Sequence, residues 1–250
     1  MTDLPEINYS QLAPTRDYLQ DIAKVIGKTQ QQFIAGDPND WYKGLLVTTI
    51  GISSQKLGDQ EIIIDLQTGE VRGFGKSWRL GEVEPVKLSE ELKSVTGKPI
   101  EDPEFTAKSV TYDPAQAKLL STALYWANQE IAKLTDQIAI GVISPVLLFP
   151  HHFDVSMVWF PKRQKSEDTD ENQYTFGFST GDKDIPEPYF YITNWPESPT
   201  FTSIKLTPPA HWQKSGFSGA ILNYKDTTNT INPTQLLDSY FQTILKLTAS

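Results

Sequence analysis

The apolar positions of this chain recur with two periods, and the periods divide it into helical and extended segments. Leu19, Ile22, Ile26 and Phe33 fall near helical spacing. Pro14, a residue favoured at the first helical position, is expected to open that helix, and Gly36 to close it. A turn-rich segment, DPNDWYKG at 37–44, carries a lone Trp41. Two apolar runs follow, LLVTTIGI at 45–52 and EIIIDL at 61–66, and both read as strands. Thr68-Gly69 supplies a hairpin turn, so 61–66 should pair antiparallel with 70–74, and Gly73, Gly75 and Gly81 read as bends. KLSEELKSV at 87–95 is a short helix with Ser89 as its N-cap.

The stretch GKPIEDPEFTAKSVTY, 97–112, has two prolines and no period, and reads as a linker. A longer helix follows over 113–135. Asp113 caps it, Pro114 sits in its first turn, and Leu120, Leu124, Ala127, Ile131 and Leu134 form one apolar face. Strands return at 146–160, 173–179, 188–195 and 219–224. KRQKSEDTDENQ, 162–173, is a solvated loop, and 196–215 is proline-rich and irregular. Asn232-Pro233 starts a last helix that should bury Leu237, Tyr240, Phe241, Ile244 and Leu247.

Runs of strands between helices, without βαβ alternation, predict an α+β fold of antiparallel strands flanked by helices. The element order suggests one domain over 1–250 built from two similar helix–strands–helix halves, 1–100 and 110–250.

Composition narrows the functional classes. Thirty-eight per cent of the 250 residues are hydrophobic, enough for a sizeable core. Lys and Arg number 22 against 31 Asp and Glu, giving a net charge of −9. That balance disfavours nucleic acid and anionic membrane surfaces as partners. The absence of cysteine removes disulfides, thiolate metal sites and cysteine nucleophiles. No apolar stretch approaches the roughly 18 residues of a membrane helix, and the N-terminus does not read as a signal peptide, so a cytoplasmic home is expected. No dinucleotide, phosphate-loop, nucleophile-elbow or zincin motif occurs, and no cofactor is expected.

Candidate chemistry concentrates in two stretches. SPVLLFPHHFDVSMVWFPKR, 144–163, holds two of the chain's three histidines. As one regular strand it would place Leu147, Phe149, His151, Phe153, Val155, Met157 and Trp159 on a core face, and His152, Asp154 and Ser156 on the other. A serine triad does not fit that order, because Asp154 rather than the histidine would be central. His152 and Asp154 could supply two metal ligands, with His211 or Glu187 as a third, but nothing in the sequence brings the third close, and no metal is expected. As an acid–base pair they would suit proton transfer near neutral pH. The simpler alternative is a polar interruption of a strand kinked at Pro150.

The second stretch is IPEPYFYITNWPESP, 185–199. Tyr189, Tyr191, Thr193 and Trp195 alternate onto one face, which could line a pocket for a small organic ligand or pack as ordinary core. His151, Glu187 and Trp41 join these aromatics as candidate binding residues, and Trp212 reads as a rim residue or plug. Asp65 is either a buried carboxylate or the exposed side of an alternating strand.

Several landmarks, in order, resemble the uncharacterised bacterial domain-of-unknown-function (DUF) family 5996. They are DWYKGLLVTTIGI at 40–52, EIIIDL, SPVLLFPHHFD at 144–154, FGFSTG at 176–181, YFYITNWPESP, AILNYKD and QLLDSYF. The resemblance implies a cytosolic one-piece domain and assigns no activity. It also implies a histidine directly after Ser-Pro-Val, where this chain has Leu147. Function is thus unknown at this level. Two hypotheses stand: binding of a small organic ligand in an aromatic-lined pocket, or a hydrolase or isomerase using His152 and Asp154.

Overall fold

The structure, a computed structural model, describes residues 4–107 and 109–248, with side chains as far as Leu245. In chain order it contains α1 (Tyr9–Gln30), a 3-10 turn (Trp41–Lys43), β1 (Leu46–Thr48), β2 (Gly51–Ser53), β3 (Ile63–Asp65), β4 (Glu70–Gly73), β5 (Lys76–Arg79), α2 (Pro85–Thr96) and α3 (Pro114–Thr135). There follow β6 (Val142–Ile143), β7 (Leu147–Phe149), β8 (Asp154–Phe160), β9 (Gln173–Ser179), β10 (Tyr189–Trp195), α4 (Pro199–Thr202), β11 (His211–Gln213), β12 (Gly219–Asn223), α5 (Tyr224–Thr228) and α6 (Pro233–Thr248). The fold is α+β.

The chain divides into two compact units. The first comprises Ile7–Tyr125 and Leu147–Asp154; the second comprises Met1–Glu6, Trp126–Val146 and Val155–Ser250.

The first unit is built on α1. This helix begins earlier than its proline suggests, because Asn8 caps it, its side chain accepting from Ser10 N–H. Pro14 is tolerated inside, at the loss of one backbone donor. Leu12, Tyr18, Leu19, Ile22 and Ile26 are buried. The 45–52 run is two strands rather than one. Thr49 and Ile50 turn the chain so that β1 and β2 pair antiparallel, and the sheet continues β3-β4-β5. Gly51 permits this: its φ is +147°, and a Cβ there would stand 2.2 Å from the Ile64 carbonyl oxygen. The pairing of β3 with β4 across Thr68-Gly69 follows the sequence. In α2 the capping position falls at Glu84 with Pro85 at the first turn, so Ser89 lies inside the helix, donating to Asp102 at 2.7 Å. Residues 97–107, with 109–112, form a wall of this unit rather than a boundary, because α1 binds their backbone; Lys108 lies outside the described residues.

In the second unit the strands run β11-β12-β10-β9-β8-β6, and the pairs β10–β9, β10–β12, β11–β12 and β6–β8 are antiparallel. One face of β10 and β9 buries Phe190, Ile192, Phe176 and Phe178, and α6 adds Leu237, Tyr240, Phe241 and Ile244. The side chain of Leu247 lies outside the described residues. Asn232 caps α6, its side chain accepting from Gln235 N–H. The helix α3 runs as read from sequence, capped by Asp113, with Leu120, Leu124, Ala127, Ile131 and Leu134 all buried.

Candidate functional site

Residues 146–160 do not form one strand. β7 ends at Phe149, a turn covers Pro150–Phe153, and β8 begins at Asp154. Strand alternation therefore does not reach the histidines. His151 and His152 are both exposed, so His151 does not point into the core as its parity predicted. Their rings meet edge to face with centroids 4.8 Å apart. Phe153 is buried with φ +55°, a conformation that side chains other than glycine rarely adopt. Its N–H donates to the Phe149 carbonyl at 2.8 Å and closes the turn.

A pair of buried polar side chains holds this turn. Gln20 donates from its amide to the His151 carbonyl at 2.6 Å and the Pro150 carbonyl at 3.2 Å. Arg16, one helical turn earlier, donates to the His152 carbonyl at 3.3 Å, to the Gln20 side-chain oxygen at 2.9 Å and to Asp17 at 2.8 Å. Its guanidinium also lies 5.9 Å from the Phe153 ring centroid. A buried cation is costly unless its donors are satisfied, and here they go to the His152 carbonyl of the turn and to Gln20 and Asp17 of the same helix.

The same helix fixes two more loops. Asp21, fully buried, accepts from Thr106 N–H at 2.8 Å and Ala107 N–H at 2.7 Å. Lys24 donates to Asp21, the Glu104 carbonyl and the Thr106 hydroxyl. Gln30 donates to the Tyr42 and Gly44 carbonyls and accepts from Gln55 N–H. Between the 149–151, 102–106 and Lys43 segments lies a cleft of about 700 Å³ beside α1. Phe149, Pro150, Pro103 and Phe105 give it apolar walls, and Lys24, Lys28, Lys43 and His151 are also among its lining. Gly27 forms part of its lining, and a Cβ there would stand 3.2 Å from Pro150. The volume lies in the range of small-molecule sites.

Among the residues expected at a site, His151, His152, Asp154 and Trp41 belong to the first unit, whereas Glu187, Tyr189, Tyr191, Trp195 and His211 belong to the second. Only His151 of the first group lines the cleft. His152 is exposed and Asp154 is buried. Trp41 is half-buried, its carbonyl accepting from the Gln55 side chain. Glu187 is half-buried, its N–H bonded to the Ile185 carbonyl. On β10, Tyr189 is buried, Tyr191 half-buried and Trp195 is 61% exposed. Phe217 stacks on Tyr189 at 6.3 Å and meets Tyr191 at 6.4 Å, so those two tyrosines pack under a third ring. Trp212 is half-buried: its indole N–H donates to the Ile204 carbonyl and its ring packs against Phe201. Asp65 is a buried carboxylate that caps the β3–β4 turn through Gln67 and Thr68 N–H and pairs with Arg72. Among the described residues no group of three His, Asp or Glu is placed to hold a metal ion.

The lysines and the two phenylalanines of the cleft are not among the site residues expected from sequence. One signal was available: Lys24 and Lys28 are four apart on one helix face with Gly27 between them.

A family model described as "Family of unknown function (DUF5996)" matches residues 82–250, and the chain belongs to that family. The match includes the histidine turn and the 102–106 wall but begins after α1, and after the resemblance landmarks at 40–52 and 61–66. No curated protein and no solved structure matches the chain. Among the described residues no helix is long and apolar enough to cross a membrane.

Proposed function

We propose that this member of the family binds a small organic ligand, and that the ligand occupies the cleft beside α1. One observation carries the reading: buried polar side chains of a single helix, Gln20, Asp21 and Gln30, hold the backbone of the loops around the cleft. Burying such groups is unfavourable unless each is satisfied, and here the result is a preformed concavity rather than a better core. Preformed walls reduce the ordering cost of binding. A cytoplasmic home accords with the acidic, cysteine-free composition.

A fragment screen by thermal melt, followed by resonance mapping, tests the proposal. Hits are expected to raise the midpoint and to shift resonances of Lys28, Phe105, Phe149 and His151. Phe105→Ala should weaken them. Hits that map instead to Tyr191 and Trp195 would overturn the assignment in favour of the β10 face.

A further inference from the structure

The ionic groups around the cleft are matched among themselves. Lys24 pairs with Asp21 at 3.1 Å, and also donates to the Glu104 carbonyl and the Thr106 hydroxyl. Lys43 pairs with Asp40 at 2.8 Å, and Lys28 with Glu101 at 3.6 Å. Asp102, a carboxylate of the lining, accepts from Lys93 at 2.8 Å and from the Ser89 hydroxyl at 2.7 Å. The remaining acid of the lining, Glu104, is exposed.

A charged head group has little to gain in such a place. It would give up water to meet groups that already hold a partner of opposite sign, and desolvating a charge without a new partner is unfavourable. An anion would compete with Asp21, Asp40 or Glu101 for a lysine. A cation has Glu104, but a pair made in solvent is worth little.

The uncharged part of the lining is different. Phe105, Phe149 and Pro103 are half-buried, so part of each still meets water and can be covered. Gln31 and His151 also line the cleft, and among the described residues neither side chain makes a hydrogen bond. An amide and an imidazole can each donate and accept. We infer, resting on the binding reading above, that the ligand is an uncharged organic molecule: an apolar body carrying a neutral hydrogen-bonding group, such as an amide or a phenol. The body covers the two rings and Pro103, and the neutral group bonds to Gln31 or His151. Every ion pair of the walls stays intact.

The test titrates 4-phenylbutyramide, 4-phenylbutyrate and 4-phenylbutylamine, which share an apolar body, into the protein while the resonances of Lys28, Phe105 and Phe149 are followed. The amide is expected to bind about fivefold or more tightly than either charged probe, because only the charged heads lose hydration without a free partner. Its affinity should not fall when the salt is raised to about 0.5 M, since no charge pair forms. Combining Gln31→Ala with His151→Ala should weaken the amide about threefold or more, the worth of one neutral hydrogen bond. Neither side chain is fully buried, so an unchanged melting midpoint will show that the double variant is folded. A charged probe that binds as tightly as the amide, or an amide indifferent to the double variant, would overturn the inference and leave the cleft a binding site. Failure of all three probes to shift any cleft resonance would remove the binding reading, and this inference with it.

Discussion

Two helices of this protein, α1 and α3, are each 22 residues long, and they do different work. α3 buries Ala117, Leu120, Ala123, Leu124, Ala127, Ile131 and Leu134. Its only buried polar residues are Ser121 and Glu130. α1 also buries an apolar face, but adds Thr15, Arg16, Gln20, Asp21, Thr29 and Gln30. On α3 the buried face is for packing. On α1 most of the buried polar residues bind the backbone of other segments: Thr15 the Asp113 N–H, Gln20 the 150–151 carbonyls, Asp21 the 106–107 amides, and Gln30 the 42 and 44 carbonyls. A buried polar group makes a specific, directional bond, and it costs far more when its partner is lost than a methylene costs when it shifts. The contrast identifies α1 as the element that positions loops.

That contrast can be broken by experiment. The largest effect is expected at Asp21. Asp21→Ala leaves the Thr106 and Ala107 amides without their acceptor and removes the carboxylate partner of Lys24, and should destabilise by ~3–5 kcal/mol, as for a broken buried ion pair. Chemical denaturation showing a loss under ~1 kcal/mol would mean the 102–107 wall does not depend on α1. On α3, Leu124→Ala should cost ~2–5 kcal/mol, the range for a truncated core leucine. The sharper distinction lies in the loops: hydrogen exchange of residues 102–107 should accelerate in the Asp21 variant beyond its global destabilisation, and not in the Leu124 variant.

A smaller effect concerns alkaline pH. Tyr18 of α1 is buried, which pushes its pKa up to about 12 from 10.0, opposed by the Gly81 N–H that its oxygen accepts. A raised folded pKa favours the protonated phenol in the folded state. Its contribution is complete below the unfolded value near 10 and is lost as pH rises through the folded value near 12. Stability should therefore fall across that window. Tyr112, Tyr224 and Tyr240 are shifted upward by burial as well, so the slope is shared. Tyr18→Phe should make it shallower, and an unchanged slope would show that Tyr18 ionises as freely folded as unfolded.

The smallest effects are expected at the exposed histidines. His151→Ala and His152→Ala should each move stability by less than ~0.5 kcal/mol, because the α1 clamp binds the turn through carbonyls that alanine retains. A large loss from either would show that an imidazole, rather than the clamp, maintains the turn.

Local pattern alone specifies the elements whose burial repeats with a regular period. α3, α6, β9, β10 and the β3–β4 hairpin were legible because each satisfies its backbone internally or with a neighbour and presents one apolar face. It also determined the α+β class and the acidic, cysteine-free chemistry. The HHFD stretch was misread because alternation holds only while the backbone stays extended. Phe153 in the left-handed region ends that, and its conformation depends on Arg16 and Gln20, more than 130 positions away in the chain. The run at 45–52 was misread for a related reason: a two-residue turn is nearly invisible when its residues are Thr49 and Ile50 rather than Asn-Gly. The cleft was hidden because helical spacing identifies the apolar positions of α1 and assigns nothing to its polar ones. Whether Gln20 and Asp21 meet water or a backbone is settled by what tertiary folding brings against them, and a local pattern carries no information about partners some 85 to 130 residues distant.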